Sequence, residues 1–439
     1  MPNFEMLATI VNFIASYYIV APTSATYADK VGSNGSIASI IVGMTSFAAL
    51  GSTILYSYWT SYSYKSALIF ASACSAIGNL LYACGLPFHS LTLVMLGRLM
   101  NGFGSARSIN RRYIADSYSY SERTAASAAF VTATALGMAA GPAMASILHL
   151  ATENSTSVYW QAENAPGFFM AAAWTIFLLC LIWKFEEPPR RHSGSEAKST
   201  IPPVIENGTV DESRPLLKGT LVNASLDEND EDDNDSSCCN ISVIVTLVVY
   251  MVLKMILEAI LSSESNLTAI YFGWEGNIMG VHLTLLALFI LPVNFGVAFL
   301  AQFYFDRELI IGLLVAMLGG CVIIYQYQDS VQDYTLWQYL IGSAVLFVCS
   351  SALEAPNMSL LSKVIPRKWS KGIINVGLLA TEAGTFGRVV GDFLLAAMAS
   401  HGMDAMLNEA FGTFGAIVLA TIILCLVFYR HLEPTEKDD

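Results

Sequence analysis

Long apolar stretches dominate this chain, and their lengths match the thickness of a lipid bilayer. A helix needs about 20 mostly apolar residues to cross the hydrocarbon core. The pattern predicts twelve such spans, near residues 5–26, 36–58, 66–86, 91–114, 123–149, 165–184, 241–262, 278–301, 308–327, 335–361, 371–398 and 408–429. We therefore predict an all-α membrane protein whose surroundings are the lipid bilayer.

A polar segment divides the twelve spans into two sets of six. Residues 185–240 are rich in Pro, Ser, Asp, Glu and Asn, a composition that buries too little apolar surface to fold. The pattern predicts an N-terminal six-helix half over 1–184, a disordered linker over 185–240, a C-terminal half over 241–430 and a tail over 431–439. Two equal sets of spans are typical of fused repeats.

The composition agrees with the span pattern and narrows the function. Apolar residues make up 54% of the chain and charged residues 13%, whereas a soluble domain carries about 25% charged residues. Much of the net charge of −13 lies in the acidic run 227–235, and no basic stripe indicates a nucleic-acid partner. No metal-ligand spacing, phosphate-cradling loop or nucleophile motif is present, so we predict no enzyme activity, no cofactor and no metal.

The basic residues outside the spans indicate how the chain is oriented. Cytosolic loops of membrane proteins carry an excess of Lys and Arg. One side of the predicted bundle carries Lys65, Arg111, Arg112, Arg123, Lys184, Arg190, Arg191, Lys198, Arg214, Lys218, Arg307, Lys363, Arg367, Lys368, Lys371, Arg430 and Lys437, and the other side carries Lys30. This asymmetry predicts that both termini and the linker are cytosolic.

Short signals on the two sides fit this orientation. The sequons that begin at Asn34, Asn154 and Asn266 all fall on the non-cytosolic side, so we predict glycosylation there. In the linker, Glu212 precedes Leu216 and Leu217 in an acidic dileucine pattern. The pattern predicts recognition by clathrin adaptors and sorting to a lysosomal or vacuolar membrane.

Two glycine motifs indicate close helix packing inside the bilayer. Small residues let helix backbones approach one another in lipid, and a proline interrupts the hydrogen-bond ladder at such a contact. The fifth span contains Gly137, Gly141 and Pro142 as Gly-x-x-x-Gly-Pro. The fourth span contains the motif residues Arg98, Gly102 and Gly104.

These motifs, with matching loops at 58–65 and 302–307, resemble the recurrent motifs of the major facilitator superfamily. A closer resemblance lies in the runs 97–116, 359–363 and 377–392, which are similar to the transporter part of the plant SPX–MFS vacuolar phosphate transporters. Those proteins carry an N-terminal SPX domain, whereas this sequence starts at the first span. Either the regulation differs or an N-terminal domain is missing from the sequence.

The resemblance implies a major facilitator fold and a function. The implied function is secondary transport of inorganic phosphate, or a similar small oxyanion, from the cytosol to the lumen of a vacuole or lysosome by alternating access. Two alternatives stay open, a lysosomal anion (chloride) channel and a carrier of another small organic anion.

Ionisable residues inside the spans are the candidate site. A charge at mid-bilayer costs at least about 2.5 kcal/mol, so it is expected to face a cavity. Since the arginine fork suits two oxygens of a phosphate, we predict that Arg107 of the first half binds the oxyanion together with Lys254 and Arg388 of the second. A hydroxyl from Tyr17 or Tyr18 is expected to assist.

The remaining intramembrane charges have less specific expected roles. Glu258, Glu354, Glu382 and Asp392 either carry protons or neutralise the cations as structural pairs. Arg98 is predicted to tie helices together. Arg111 and Arg112, at the cytosolic end of the fourth span, are predicted to be topology anchors, gate residues or ligands that draw anions toward the entrance.

Replacing Leu216 and Leu217 by Ala should move the protein to the cell surface, because adaptors would no longer recognise the linker. Fluorescence microscopy of the tagged chain measures this. The matched control replaces Val204 and Ile205 by Ala in the same linker. An unchanged location of the Leu216/Leu217 variant would discard the sorting signal.

Overall fold

The computed structural model describes residues 4–33, 37–117, 120–187, 241–327, 333–364 and 376–432. The first half contains α1 (Phe4–Tyr18), a 3₁₀ turn (Ala21–Thr23), α2 (Ser24–Lys30), α3 (Ile37–Trp59), α4 (Tyr64–Gly85), α5 (Leu91–Phe103), α6 (Arg107–Ser117), α7 (Tyr120–Thr152) and α8 (Ala165–Lys184). The second half contains α9 (Ile241–Phe272), α10 (Gly276–Leu300), α11 (Asp306–Ile324), α12 (Leu336–Ala352), α13 (Glu354–Val364), α14 (Val376–Ala399) and α15 (Met403–Val427). The predicted all-α membrane fold is confirmed.

Most predicted spans agree with the helices to within a few residues. Ten helical segments of the described ranges are long and apolar enough to cross a membrane. The fourth and eleventh predicted spans do not meet this criterion. The fourth span is divided into α5 and α6, and the eleventh span, α14, carries three ionisable residues. The first span also extends further than predicted, to Lys30, and the seventh extends to Phe272.

Successive spans run in opposite directions, so the bundle has two ends. We call the end that carries Lys65, Lys184 and Lys363 the basic end, and the end that carries Lys30 the opposite end. At the basic end, the ammonium of Lys363 lies 2.6 Å from a carboxylate oxygen of Asp306. At the opposite end, Lys30 is paired with Glu163 at 2.8 Å.

The outer surface of the bundle is apolar. Ile176, Trp183 and Phe295 expose 63%, 83% and 76% of their side chains, although each lies in a membrane-length helix. An apolar surface of this extent is unfavourable in water and favourable against lipid tails. The polar side chains are concentrated between the helices instead, where Glu258 and Asp392 are fully buried.

The fourth span is interrupted between α5 and α6. The last carbonyls of α5 have no partner within their own helix, so other groups must satisfy them inside the bilayer. The hydroxyl of Tyr56 donates to the carbonyl of Phe103, and Ser52 Oγ donates to the carbonyl of Gly102 at 3.1 Å. Arg107 then starts the new helix α6 at mid-span.

The tenth span, in the equivalent position of the second half, is interrupted as well. Helix α12 ends at Ala352 and α13 starts at Glu354. Pro356 lies in the first turn of α13, where its missing N–H removes no helical hydrogen bond. The fourth span of each half is therefore divided into two helices, and the second of these helices begins with an ionisable residue.

The motif glycines lie where helices cross closely. A Cβ atom at Gly102 would lie 2.4 Å from the carbonyl oxygen of Thr45, and one at Gly104 would lie 1.8 Å from Ser75 Oγ. These contacts bring α5 against α3 and α4. In α7, Cβ atoms at Gly137 and Gly141 would lie 2.6 Å from Ile14 Cβ and 2.8 Å from the carbonyl of Ala15. Pro142 follows inside α7, and its carbonyl accepts a hydrogen bond from Ser146 Oγ at 3.3 Å.

The two halves contact each other along two helix pairs. Helix α3 packs on α14, and a Cβ at Gly43 would lie 2.6 Å from Asp392 Cβ. Helix α7 packs on α10, and Ser146 Oγ donates to the carbonyl of Asn277 at 2.8 Å. The candidate site therefore lies between two bodies that meet along most of their length.

Several predicted features lie outside the described residues, namely residues 188–240 of the linker with Glu212, Leu216 and Leu217, the sequon residue Asn34, and the tail after residue 432. Asn154 is exposed just after α7, as a glycan acceptor must be. The prediction for Asn266 is wrong in this structure. It lies inside α9 with 3% of its side chain exposed, because α9 continues past the predicted end of its span.

Substituting Gly102 with Ala should destabilise the protein, because the new methyl would meet backbone atoms that cannot move independently. Overpacking of this kind costs about 1–3 kcal/mol. Thermal unfolding of the purified protein in detergent measures the loss. Gly296→Ala is the control, because a Cβ there has no neighbour within 4 Å. Equal unfolding temperatures for the two variants would contradict the close crossing of α5 and α3.

Candidate substrate site

A buried group of side chains joins the halves at the centre of the bundle. The hydroxyl of Tyr17, on α1, donates to Glu258 Oε1 on α9 at 2.5 Å and lies 2.8 Å from Ser46 Oγ on α3. The other carboxylate oxygen of Glu258 lies 3.5 Å from the guanidinium of Arg388, on α14. The carboxylate is fully buried and has a cation and a hydroxyl as partners, which is the arrangement that makes a buried charge tolerable.

Two arginines lie over the ring of Tyr17. The guanidinium carbon of Arg388 is 5.5 Å from the ring centroid, and that of Arg98 is 5.7 Å away. Arg98 is fully buried, and its Nε donates to the carbonyl of Ile41 at 3.0 Å. Arg98 therefore links α5, α3 and α1, which is compatible with the predicted role in tying helices together.

Asp392 lies one turn from Arg388 on α14 but bonds elsewhere. Ser262, on α9, donates its hydroxyl to Asp392 Oδ1. Asp392 Oδ2 has no hydrogen-bond partner among the described residues. The one-turn spacing seen in the sequence therefore does not produce an Arg388–Asp392 ion pair here.

A second charged group lies nearer the basic end. The ammonium of Lys254 is 2.6 Å from Glu354 Oε2, and the hydroxyl of Tyr250 donates to Glu354 Oε1 at 2.6 Å. Lys254 thus pairs with Glu354 of α13, although Glu258 is its one-turn neighbour on α9. The ammonium of Lys254, the hydroxyl of Tyr250 and the positive first turn of α13 together compensate the charge of the Glu354 carboxylate.

Arg111 bridges the halves in this second group. Its guanidinium donates to Thr381 Oγ1 on α14 at 2.5 Å and lies 3.9 Å from Glu354 Oε1. Arg112 points away from this contact and donates to the carbonyl of Ser57 and, at 3.2 Å, to Thr60 Oγ1. The two neighbouring arginines therefore have different surroundings, one between the halves and one within the first half.

Arg107 has the environment expected of a ligand-binding cation. No ion pair joins it to a carboxylate among the described residues, and its nearest charged neighbours include Arg388 and Arg111. It borders a cavity between the halves together with Phe13, Tyr17, Thr45, Ser46, Ala49, Ser105, Thr381, Thr385 and Arg388. The free volume of this cavity is about 20 Å³, which is enough for one or two water molecules.

The structure thus brings some of the predicted site residues together and separates others. Arg107, Arg388 and Tyr17 border one cavity, whereas Lys254 lies in the neighbouring group with Glu354. The hydroxyl of Tyr18 is buried near Arg388 without a hydrogen-bond partner in the described part of the chain. Glu382 is half-buried on α14, near Thr53 of α3.

Sequence reasoning missed the neutral members of the site. Ser46, Thr381, Thr385 and Ser262 supply the hydroxyls, and Tyr250 holds Glu354. Serine and threonine are common in membrane helices, so no pattern in the sequence distinguishes these five. Thr381, Thr385, Ser262 and Tyr250 lie in spans that also carry charges, whereas Ser46 lies in α3, which carries none.

An apolar twelve-span bundle with a charged cavity between two halves defines a polytopic membrane transporter. Residues 6–226 match the family model of the Major Facilitator Superfamily. The chain therefore belongs to the major facilitator superfamily, whose members are transporters and not enzymes.

Curated relatives and solved structures agree with this. The chain is 34% identical over 453 residues to an SPX domain-containing membrane protein of Arabidopsis thaliana, covering 96% of this chain and 62% of the relative. It is 32% identical over 452 residues to an SPX domain-containing membrane protein of Oryza sativa subsp. indica, covering 97% of this chain and 64% of the relative. The chain thus spans less than two thirds of the length of these relatives. The predicted resemblance to the transporter part of SPX–MFS proteins is confirmed.

Among solved structures, the bundle resembles a bacterial homologue of the human lysosomal transporter Spinster in an inward-facing and occupied conformation. The TM-score is 0.59 at 11% identity, and the match covers 97% of this chain and 95% of that one. It also resembles the POT family transporter PepTSo, with a TM-score of 0.66 at 10% identity and 99% of each chain covered. At these identities the likeness shows the fold alone.

Arg388→Ala should destabilise the protein strongly, because Glu258 would stay buried without its cation. Removing one partner of a buried pair costs about 3–5 kcal/mol. Chemical unfolding of the purified protein measures this, and the Glu258→Gln/Arg388→Ala double variant should recover part of the loss. Lys363→Ala is the control, since breaking that exposed pair costs about 0–1 kcal/mol. Equal losses for Arg388→Ala and Lys363→Ala would contradict the central pair.

Proposed function

We propose that this protein carries inorganic phosphate, or a similar small oxyanion, from the cytosol to the lumen across a vacuolar or lysosomal membrane by alternating access. The observation that carries the proposal is Arg107, a cation at the edge of the cavity between the halves with no carboxylate partner in the described residues. In a low-dielectric site, an unmatched cation is stabilised when an anion binds to it.

The surroundings of Arg107 favour a tetrahedral oxyanion. Arg107 is the first residue of α6, so the positive end of that helix adds to its charge. In many transporters, interrupted helices in corresponding positions of two repeats form the substrate site. Hydroxyls of Thr45, Ser46 and Thr385 border the same cavity. Thr45 and Thr385 donate to the carbonyls of Arg98 and Thr381 in this structure, and their hydroxyls would rotate to donate to the remaining oxygens.

The size of the cavity supports an inorganic ion over an organic anion. Space for one or two waters is about the volume of a partly dehydrated phosphate, whereas pockets for drug-sized organic ligands measure about 300–1,000 Å³. A narrow cavity with contacts on both sides also supports a carrier over a continuous pore.

Contacts at both ends of the cavity support alternating access. At the opposite end, Ser24 and Ser265 approach to 2.9 Å between their hydroxyl oxygens, across the two halves. Toward the basic end, Arg111 joins α6 to α14 through Thr381. In this account Arg111 is a gate residue, and rocking of the halves breaks one of these contacts at a time.

The ion pairs favour charge neutralisation over proton transfer for two carboxylates. Glu258 is matched by Arg388, and Glu354 is matched by Lys254. Both pairs compensate charges that would otherwise lie unmatched between the helices. If the lumen is positive, each negative charge on the substrate gains about 2.3 kcal/mol per 100 mV, which favours accumulation without an obligatory proton.

The location and sidedness follow from sequence signals. The basic end is cytosolic in this proposal because it carries the excess of Lys and Arg. The acidic dileucine pattern supports a vacuolar or lysosomal membrane and recognition by clathrin adaptors. Glycosylation is proposed for Asn34 and Asn154.

Arg107→Ala should reduce phosphate uptake at low substrate concentration by about tenfold or more, because a charged hydrogen bond contributes about 1.5–3 kcal/mol. Arg107→Lys should retain part of the activity, since lysine keeps the charge but loses the fork. Radiolabelled uptake into proteoliposomes measures both.

Arg430→Ala is the matched control, because Arg430 is exposed at the basic end, far from the cavity. The Arg107→Ala protein should also unfold at the wild-type temperature, since no ion pair is lost. Wild-type uptake by Arg107→Ala would overturn the assignment of this residue.

A further inference from the structure

A second buried ionisable group lies in the second half, toward the opposite end and away from the cavity. Glu264 on α9 is fully buried, and its Oε1 lies 2.6 Å from His282 Nδ1 on α10. Its Oε2 accepts a hydrogen bond from the hydroxyl of Tyr339 on α12, also at 2.6 Å. Both oxygens of one carboxylate are therefore used, by groups from two other helices.

The chemistry of this group makes it sensitive to a single proton. A buried carboxylate needs a compensating cation, and His282 is the nearest titratable partner. When the imidazole carries its proton the pair is neutral overall. When it does not, one negative charge remains among the rings of Trp274 and Tyr339, whose centroids lie 5.5 Å and 6.0 Å from that of His282.

The helices that carry this group also close the opposite end of the bundle. Ser265, next to Glu264, contacts Ser24 of the first half at 2.9 Å. Helix α10 accepts a hydrogen bond from Ser146 at the carbonyl of Asn277, one turn before His282. Opening this end would separate both contacts and admit water beside Glu264 and His282.

We propose that Glu264, His282 and Tyr339 form a proton-binding site that holds the opposite end of the bundle closed when His282 is protonated. In the closed state the buried carboxylate retains the proton on His282. In the open state, water solvates the carboxylate and the imidazole releases its proton more easily. The closed state thus binds more protons, so the ratio of closed to open molecules falls as the pH rises.

Other ionisable groups lie near this site, and the experiment must distinguish their contribution to the pH dependence from that of His282. His149 of α7 faces the start of α10, with its Cδ2 3.0 Å from the position of a Cβ at Gly276. Tyr271 of α9 and Tyr334 before α12 lie with their rings 5.1 Å apart on the same side of the bundle. Asp392 of α14 bonds to Ser262, which is two residues before Glu264 on α9. Of these groups, His149 is the other imidazole, and so it sets the control.

The test measures the distance across the opposite end by pulsed electron paramagnetic resonance. Spin labels replace Ser157 and Trp337, which are exposed on different halves at that end, in a cysteine-free background of the full chain in nanodiscs. Between about pH 5.5 and pH 7.5 the closed-to-open ratio should fall at least about threefold, and by no more than about tenfold per pH unit, the limit for one proton.

His282→Gln should abolish this pH dependence, and His149→Gln should leave it unchanged. Tyr339→Phe provides a milder variant in case His282→Gln does not fold. Because it removes one hydrogen bond to the carboxylate, it should move the midpoint of the transition to higher pH. An unchanged ratio across the pH range in the wild type, a wild-type response in His282→Gln, or an unmoved midpoint in Tyr339→Phe would each overturn the proposal.

The inference uses alternating access but not the identity of the substrate. The distance measurement contains no phosphate, so its result is independent of whether Arg107 binds that ion. If phosphate uptake fails while the pH response holds, the proposed substrate is wrong and the proton site stands.

Discussion

The matching of buried charge within the second half, together with its contact to Tyr17 of the first, is the constraint on which the rest of this structure depends. Glu258 cannot remain ionised in the membrane without Arg388, and both are positioned by Tyr17 of the other half. The hydrogen bond and the cation–π contact of Tyr17 with this pair therefore join the halves. Any movement of one half relative to the other must break or exchange them, and a transported ion is a natural exchange partner for Tyr17 and Arg388.

The helix interruptions explain why Arg107, a cation without a carboxylate partner among the described residues, lies at the cavity. Helix α6 begins at Arg107 and α13 begins at Glu354, at equivalent positions of the two repeats. In one repeat the break presents a cation, and in the other it presents a carboxylate that Lys254 neutralises. This difference between otherwise similar halves leaves the positive charge on one side of the cavity, where an anion can meet it.

Hydrophobic patterning predicted the twelve spans, since the requirement for a membrane-length apolar helix is strict. Most of the central charges inside those spans were also identified, because each is unusual in lipid, but Glu264 and His282 were missed. The partners in the ion pairs were not predictable. Lys254 has Glu258 as its one-turn neighbour on α9, yet it pairs with Glu354 on another helix. Pairing depends on how helices rotate against one another, which local sequence does not encode. The predicted glycosylation of Asn266 is wrong for a related reason, because α9 continues as a buried helix beyond its predicted end.

The central claim is that the protein is a carrier of a small inorganic anion, and phosphate counterflow tests it most directly. Purified protein is placed in liposomes loaded with unlabelled phosphate, and labelled phosphate is supplied outside with the membrane potential clamped at zero. The account predicts transient accumulation of label above its external concentration, saturable with phosphate and absent from liposomes without protein. Label that only equilibrates, or currents that rise without saturation, would contradict a carrier and indicate a channel or a different substrate.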